Sequence, residues 1–218
     1  MTLPGWTKSI TTLFRDQHRP VGKGLAQLSH RPKDLVDLIR GQLNQPRKSW
    51  SERKKQAWDG VRMWRRGYEF TKEDPSEMAM IRLVGILDDL LFGSSLGSSI
   101  RFQWKWFGLP SHADQIALGA TTTAFDSSVD GCIADVWMHP EPHPPLGYSA
   151  GDFETVLFET LLHEMCHAYL GLYACRDGHG RAWRALGASI DEAMGRIVGM
   201  NTRCGDTKAR LFKVVDAW

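Results

Sequence analysis

The stretch TLLHEMCHAYLGLYACRDGHGRAW, residues 160–183, constrains the fold more than any other part of the chain. Its first fifteen residues are mostly apolar and contain no proline, which is typical of a buried helix. His163, Glu164 and His167 interrupt this apolar run. Because four residues along an α-helix correspond to about 6 Å of rise and about 400° of rotation, His163 and His167 lie one above the other on one face. Two imidazoles so placed can bind one metal ion, which would explain ionisable residues in apolar surroundings.

A catalytic zinc ion needs a third protein ligand, and three residues further along the chain could supply it. His179 stands between two glycines, in a break that lets the chain turn back towards the helix. Asp177 lies in the same break, and Glu192 follows 25 residues after His167. We favour His179, because its glycine neighbours account for the turn.

Three neutral histidines would leave a zinc ion its charge and one open position, and such an ion can lower the pKa of a bound water to about 7. Glu164 lies beside the two histidines, where its carboxylate could take the proton without binding the metal. The motif therefore predicts a zinc-dependent endopeptidase with Glu164 as its general base. A structural zinc site, and a helix whose histidines are satisfied by hydrogen bonds, remain the alternatives. Cys166 points away from the histidine face, which favours an open position over a closed structural site.

The rest of the chain predicts a main domain that begins at about residue 76. Three runs rich in β-branched and aromatic residues, SIRFQWKWFG, QIALGATTTAF and GCIADVWMHP, predict a small, largely antiparallel three-stranded sheet. A helix with Asp74 as its N-cap is expected before the sheet, and a long helix from about Asp152 to about Ala174 after it. Between sheet and long helix, a proline-rich loop carries His139 and His143, which we interpret as surface histidines. This order of elements predicts the α+β class.

Residues 1–75 carry 16 Lys and Arg against 8 Asp and Glu, although the whole chain has a net charge of only +2. Such an excess indicates either an acidic partner, for which nucleic acid is the commonest candidate, or a solvated basic face. After a tail of about thirty residues that is expected to be poorly ordered or loosely docked, this segment predicts two amphipathic helices, the second with a capping box at Ser49 and Glu52. We interpret the aromatic stripe of the second helix as core packing rather than as a surface for base stacking. The apolar faces consist of Leu35, Leu38, Ile39 and Leu43 in the first helix and Trp50, Trp58, Val61, Trp64 and Tyr68 in the second.

The chain contains no long apolar run and no start of the secretory type, so the sequence predicts an intracellular protein with no membrane partner. Its four cysteines form no C-x-x-C pair, which argues against a zinc ribbon and against a thioredoxin-type redox site. Reduced thiols are therefore expected at Cys132, Cys166, Cys175 and Cys204.

These motifs resemble the SprT-like zinc metalloproteases, a family that includes the DNA–protein crosslink repair protease Spartan. The resemblance rests on LLHEMCHAYL followed by GHGRAWRALG, and it extends upstream through LDDLLFGSSLGSSIRFQW, ALGATTTAF and CIADVWMHP, covering about residues 76–200. It implies a zincin-like α+β domain in which His163, His167 and His179 bind zinc and Glu164 is the catalytic acid and base. It also implies cleavage of DNA-bound proteins and a nuclear location.

One departure from the family concerns the segment 201–218, which we treat as a C-terminal tail. Many members carry a four-cysteine zinc ribbon after the protease domain, and here only Cys204 lies in that segment. If the protein acts on DNA-bound substrates, the basic extension 1–75 would have to supply part of the attachment. A catalytically silent, zinc-stabilised adaptor for DNA or protein, and a peptidase unrelated to DNA, are the alternative functions.

Overall fold

The computed structural model describes residues 25–67, 75–106, 115–140, 150–174, 179–205 and 211–213. Within these ranges the chain forms five α-helices and five short strands, which confirms the α+β class. The helices are α1 (Pro32–Leu43), α2 (Glu52–Gly67), α3 (Glu77–Leu87), α4 (Ala150–Ala174) and α5 (Arg181–Ala193). The strands are β1 (Ile100–Trp104), β2 (Gln115–Ala117), β3 (Gly119–Asp126), β4 (Gly131–Met138) and β5 (Leu211–Lys213). One π-helical turn follows α3 and another follows α5, over Asp88–Phe92 and Met194–Val198.

The main sheet has three strands in the order β1-β4-β3 and is mixed. Strands β3 and β4 form an antiparallel hairpin, whereas β1 runs parallel to β4. The expectation of a largely antiparallel sheet is therefore wrong for one of its two strand pairs. The short turn 127–130 imposes antiparallel pairing on β3 and β4, but the longer connection from β1 to β3 imposes no hairpin, and β1 lies at the other edge of β4. Strands β2 and β5 form a separate antiparallel pair.

Helix α4 lies at the centre of the core and packs against β3 and β4. Leu162, Met165 and Tyr169 are fully buried, as are most of their neighbours in the second half of the helix. A helix covered on nearly all sides must be apolar on nearly all sides, which explains why this stretch is mostly apolar apart from His163, Glu164 and His167. The described helix ends at Ala174, as predicted, and begins two residues before the predicted Asp152.

The two helices of the basic segment belong to the same hydrophobic core as α4. Ile39 of α1 and Val61 of α2 are fully buried, and α1 packs against α5 while α2 packs against α3. Trp50 is buried, and Trp58 and Trp64 are partly buried against the core, which confirms the interpretation of the aromatic stripe. The described part of residues 1–75 is thus packed on the main domain, and the boundary near residue 75 stays a prediction.

Details of the first helices differ from expectation. Leu38 is 40% exposed, and Val36 takes its place in the core. The caps are Ser51, which accepts from the backbone N–H of Lys54 at 3.2 Å, and Ser76, which accepts from that of Ala79 at 3.2 Å. Each serine directly precedes the first helical residue, where a hydroxyl reaches the third N–H of the helix, so the caps expected at Ser49 and Asp74 were placed two residues too early. Residue 74 and Tyr68 lie outside the described residues.

The N-terminal tail was predicted to be poorly ordered or loosely docked, and residues 1–24 of it lie outside the described residues. The part that is described is held against the end of α4. The backbone N–H of Leu28 donates to the carbonyl of Leu172, and that of His30 to the carbonyl of Tyr173, both at 3.0 Å. Residues 25–30 are therefore docked on the end of α4, and the alternative of a poorly ordered segment is wrong for them.

The described cysteines Cys132, Cys166 and Cys204 are buried, and none of these three forms a disulfide. Cys175 lies outside the described residues. Among the helices that the structure describes, we find none with the length and apolarity needed to cross a membrane.

Candidate metal centre

Helix α4 and the start of α5 bring His163, His167 and His179 together. The Nε2 atom of His167 lies 3.2 Å from that of His163 and 3.2 Å from that of His179, and the remaining pair is 3.0 Å apart. Tetrahedral zinc with metal–nitrogen distances of about 2.0–2.1 Å would separate its nitrogen ligands by about 3.3–3.4 Å. The three nitrogens therefore fit three corners of a tetrahedron around one ion.

Trp183 of α5 contacts all three imidazole rings and is itself almost fully buried. Its ring centroid lies 4.4 Å from that of His163, 4.5 Å from that of His179 and 5.3 Å from that of His167, the last in a stacked arrangement. A rigid aromatic ring so placed restricts the orientations that the imidazoles can adopt. No pattern in the sequence predicts this contact.

The Nδ1 atom of His163 lies 3.1 Å from the backbone carbonyl oxygen of Cys204. A carbonyl can only accept, so Nδ1 carries the proton and the neutral ring keeps a lone pair on Nε2, where a metal would bind. Histidine ligands in metalloproteins generally make such a second contact, which sets the tautomer and the ring orientation. Sequence analysis missed this partner, because a backbone carbonyl leaves no trace in the pattern of side chains.

Glu164 lies beside the histidines and is 4% exposed. The hydroxyl of Thr121 on β3 donates to its Oε2 at 2.8 Å and also lies 3.1 Å from its backbone carbonyl oxygen. Gly119, on the same strand, is so close that a Cβ atom there would lie 2.9 Å from Cγ of Glu164. The edge strand β3 therefore positions the Glu164 carboxylate through Thr121 and Gly119. The sequence did not predict this contact.

The other candidate residues do not join the histidine cluster. Glu192 on α5 is exposed and is absent from the group that the three histidines form. His139 is buried, with its ring 4.7 Å from that of Trp106, so its assignment to the surface is wrong. His139 directly follows β4, and its backbone N–H donates to the carbonyl of Leu118, between β2 and β3, at 2.9 Å. Asp177 and His143 lie outside the described residues.

Within the described ranges, no fourth histidine, cysteine or carboxylate completes the group. Cys166 and Cys204 are close in space, and their hydrogen bond, together with burial, raises the pKa of the Cys204 thiol well above its usual value. Neither sulfur belongs to the group that the three histidines form. The arrangement can thus hold one ion through three imidazoles with a position left for a further molecule.

Comparison with known proteins gave one family match. The model of the SprT-like family matches residues 150–205, a segment that contains the three histidines, Glu164, Trp183 and Cys204. Comparison with the curated proteins and with the solved structures gave no match. The match confirms the predicted resemblance over the segment that builds the candidate metal centre, whereas its extension upstream to about residue 76 stays a prediction.

Proposed function

Because residues 150–205 carry a SprT-like match, we propose that this chain is a zinc-dependent metalloendopeptidase with a zincin-like domain. The observation that carries the proposal is the convergence of three imidazole nitrogens within 3.2 Å of one another, with the buried carboxylate of Glu164 beside them. A buried carboxylate next to three histidines is costly without a compensating cation. The three-ligand set with an open position is typical of catalytic rather than structural zinc.

Glu164, Thr121 and His163 would each have a distinct role in hydrolysis of the peptide bond. When bound, zinc supplies a Lewis acid that polarises a peptide carbonyl and makes water a stronger acid. Glu164 takes the proton of the attacking water and returns it to the nitrogen of the leaving amine. Thr121 donates to Oε2 of Glu164, which orients the carboxylate. The contact from His163 to the Cys204 carbonyl keeps the imidazole in the tautomer that binds metal.

Metal analysis of three purified proteins tests the ligand set. The wild type should contain one zinc ion per chain, His179→Ala should lose most of it, and Glu192→Ala should retain it. Glu192 is the matched control, because the sequence left it open as the third ligand and the structure places it on the exposed face of α5. Retention of zinc by His179→Ala, or its loss from Glu192→Ala, would overturn the proposed site.

We propose further that the substrates include proteins bound to DNA and that helix α2 supplies part of the attachment. A groove of about 520 Å³ is lined by Trp58, Arg62, Arg65 and Arg66 together with Glu154 and two aliphatic residues. Arg65 is paired with Glu154 through contacts of 2.6 Å and 3.2 Å, whereas Arg62 and Arg66 are exposed. Arg47 and Arg62 lie over the Trp58 ring, 3.6 Å and 4.6 Å from its centroid, and Arg62 lies 4.0 Å from a carboxylate oxygen of Asp59. Exposed guanidinium groups on one helix face suit the phosphate backbone of a nucleic acid.

The position of the groove is compatible with cleavage of a bound protein. Glu154 precedes His163 by nine residues of the same helix. This spacing corresponds to about 14 Å of rise and about two and a half turns, so the two side chains point in opposite directions. The groove therefore lies on the opposite side of α4 from the histidines, and nucleic acid bound there would not cover the metal centre. Nucleic acid would act as an attachment surface, and the protein substrate would enter from the side of β3.

Binding of a single-stranded oligonucleotide across a range of salt concentrations tests this attachment. Deleting residues 1–75 would remove buried core side chains, so the double substitution Arg62→Glu and Arg66→Glu is the better perturbation. It should weaken binding and reduce the slope of log affinity against log salt by about 1–1.5, because about 0.7 is lost per phosphate contact. Lys33→Glu on the exposed face of α1 is the control and should change the slope less.

The same experiment separates the alternative functions. Equal binding by the double variant and the wild type would refute attachment through α2 and would favour a peptidase unrelated to DNA, provided that cleavage persists. Zinc and oligonucleotide binding without any cleavage would favour a catalytically silent adaptor.

A further inference from the structure

The carboxylate of Asp191, near the end of α5, accepts three hydrogen bonds from the loop that follows the helix. The hydroxyl of Thr202 and the backbone N–H of Cys204 both donate to Oδ1 at 2.8 Å. The backbone N–H of Gly205 donates to Oδ2 at 3.0 Å. Asp191 thus binds two backbone groups and one hydroxyl of the loop 202–205 and restricts its position. Hydrogen bonds to a carboxylate are stronger than those between neutral groups.

The loop is also pressed against the helices on either side of it. The backbone N–H of Arg203 donates to Oε1 of Glu159 on α4 at 2.8 Å. A Cβ atom on Gly187 of α5 would lie 2.6 Å from Cα of Gly205, so helix and loop are in backbone contact. The loop is therefore held between α4 and α5, and Asp191 accepts three of the hydrogen bonds that hold it.

The same loop presents the carbonyl oxygen that accepts from Nδ1 of His163. We propose that Asp191 is a positioning residue of the metal centre, which acts through the Cys204 carbonyl to fix the orientation of His163. The inference rests on the proposed metal site and assigns to Asp191 a role that neither the family match nor the histidine spacing indicates. The contact with His163 comes from the backbone of residue 204, so a substitution at Cys204 would leave the carbonyl in place, whereas a substitution at Asp191 would release it.

A purely structural role for Asp191 predicts a different result from a positioning role. A structural residue would lower the free energy of unfolding and leave the zinc affinity of the folded protein unchanged. Loss of a group that orients a histidine ligand typically costs 10- to 100-fold in metal affinity. Zinc affinity, measured on protein that is folded, is therefore the readout that distinguishes the two roles.

The test compares Asp191→Ala and Asp191→Asn with the control Glu154→Ala in a competition assay with a zinc chelator. Glu154 lies on α4, as His163 does, and its carboxylate also accepts two short hydrogen bonds, but its partner is Arg65. We expect zinc to bind about tenfold or more weakly to Asp191→Ala and less weakly to Asp191→Asn, which keeps one acceptor oxygen. Glu154→Ala should bind zinc as the wild type does. The cobalt-substituted Asp191 variants should also show altered visible absorption bands, because the geometry around His163 changes.

Wild-type zinc affinity in a folded Asp191→Ala protein would overturn the inference, and so would an equal loss in the Glu154→Ala control. If Asp191→Ala does not fold, Asp191→Asn decides the question by the same criterion. Failure of the wild type to bind zinc would instead refute the proposed function itself, so the two failures are distinguishable.

Discussion

Replacing Gly119 with alanine should displace Glu164 and slow cleavage while leaving the metal in place. A Cβ atom at this position would lie 2.9 Å from both Cγ and Oε1 of Glu164, and 2.9 Å from Cγ2 of Thr160. Since carbon atoms in contact are about 3.5–4.0 Å apart, the carboxylate or strand β3 must move by roughly 0.6–1 Å. The three atoms nearest to this Cβ position belong to Glu164 and Thr160 and not to a histidine, so the metal site should be retained.

The size of the effect follows from that displacement. A catalytic group misplaced by about 1 Å can cost about 100-fold in rate, so we expect kcat/KM to fall by about 10- to 100-fold. Extra volume in a packed core should also lower the free energy of unfolding by about 1–3 kcal/mol. Cleavage of a DNA-binding protein, zinc content and urea denaturation should be measured on the same preparations.

Gly171→Ala is a matched control for this experiment. A Cβ atom there would clash with Oγ1 of Thr123, so the substitution crowds the same interface between α4 and β3. The position is seven residues beyond Glu164, about 10 Å along the helix. It should lower stability without a comparable loss of turnover. A folded, zinc-loaded Gly119→Ala protein that cleaves as fast as the wild type would refute the reasoning, as would equal losses in both variants.

Three further predictions concern the carboxylate, the first helix and a buried acid. Thr121→Val removes the donor to Glu164 and should lower kcat/KM by about tenfold or more at unchanged zinc content, whereas Thr121→Ser should keep most of the activity. Ile39→Ala should lower the free energy of unfolding in urea by about 2–5 kcal/mol, and a loss well below this would contradict the packing of α1 in the core. Burial raises the pKa of Asp88 from 3.8 to about 6, against the opposing effect of two backbone hydrogen bonds. Its folded form therefore holds a proton more tightly than its unfolded form, so stability should fall by about 3 kcal/mol as pH rises between these values and then level off. The difference in unfolding free energy between wild type and Asp88→Asn, measured at both ends of this range, should show that fall and should be flat if the assignment is wrong.

The part of the site that could be predicted from sequence is the part that one helix and one turn determine. His163, Glu164 and His167 share a helix, so their relative directions follow from the number of residues per turn. His179 follows from a break flanked by glycines, which allows the chain to reverse. No tertiary information is needed for either step.

The supports of the site could not be predicted, because they come from distant parts of the chain. Thr121 and Gly119 approach Glu164 from a strand more than 40 residues earlier, and their position depends on how the sheet packs on α4. The Cys204 carbonyl belongs to the backbone and has no sequence signature. The parallel pairing of β1 with β4 was missed for a related reason, since strand propensity does not specify direction once the connection is long.

Helix α2 has one buried apolar face and one exposed basic face, and each interpretation of its sequence describes one of these faces. The apolar stripe of α2 predicted burial, and Val61 is fully buried while Trp58 and Trp64 are partly buried against the core. The cluster of arginines predicted a charged surface, and Arg62 and Arg66 are exposed. The positive charge of α2 indicates what its exposed face could bind. The apolar stripe indicates burial, and the structure shows that it packs in the core.

The most direct test of the central claim is the effect of Glu164→Gln on zinc content and cleavage measured together. The substitution keeps the size of the side chain and an oxygen that can accept from Thr121, but removes the carboxylate that takes the proton. If the chain is a zinc metallopeptidase of the proposed kind, the variant should retain one zinc ion per chain and lose cleavage by several orders of magnitude relative to the wild type. Cleavage at the wild-type rate by zinc-loaded Glu164→Gln would contradict the assignment of this site as the catalytic centre.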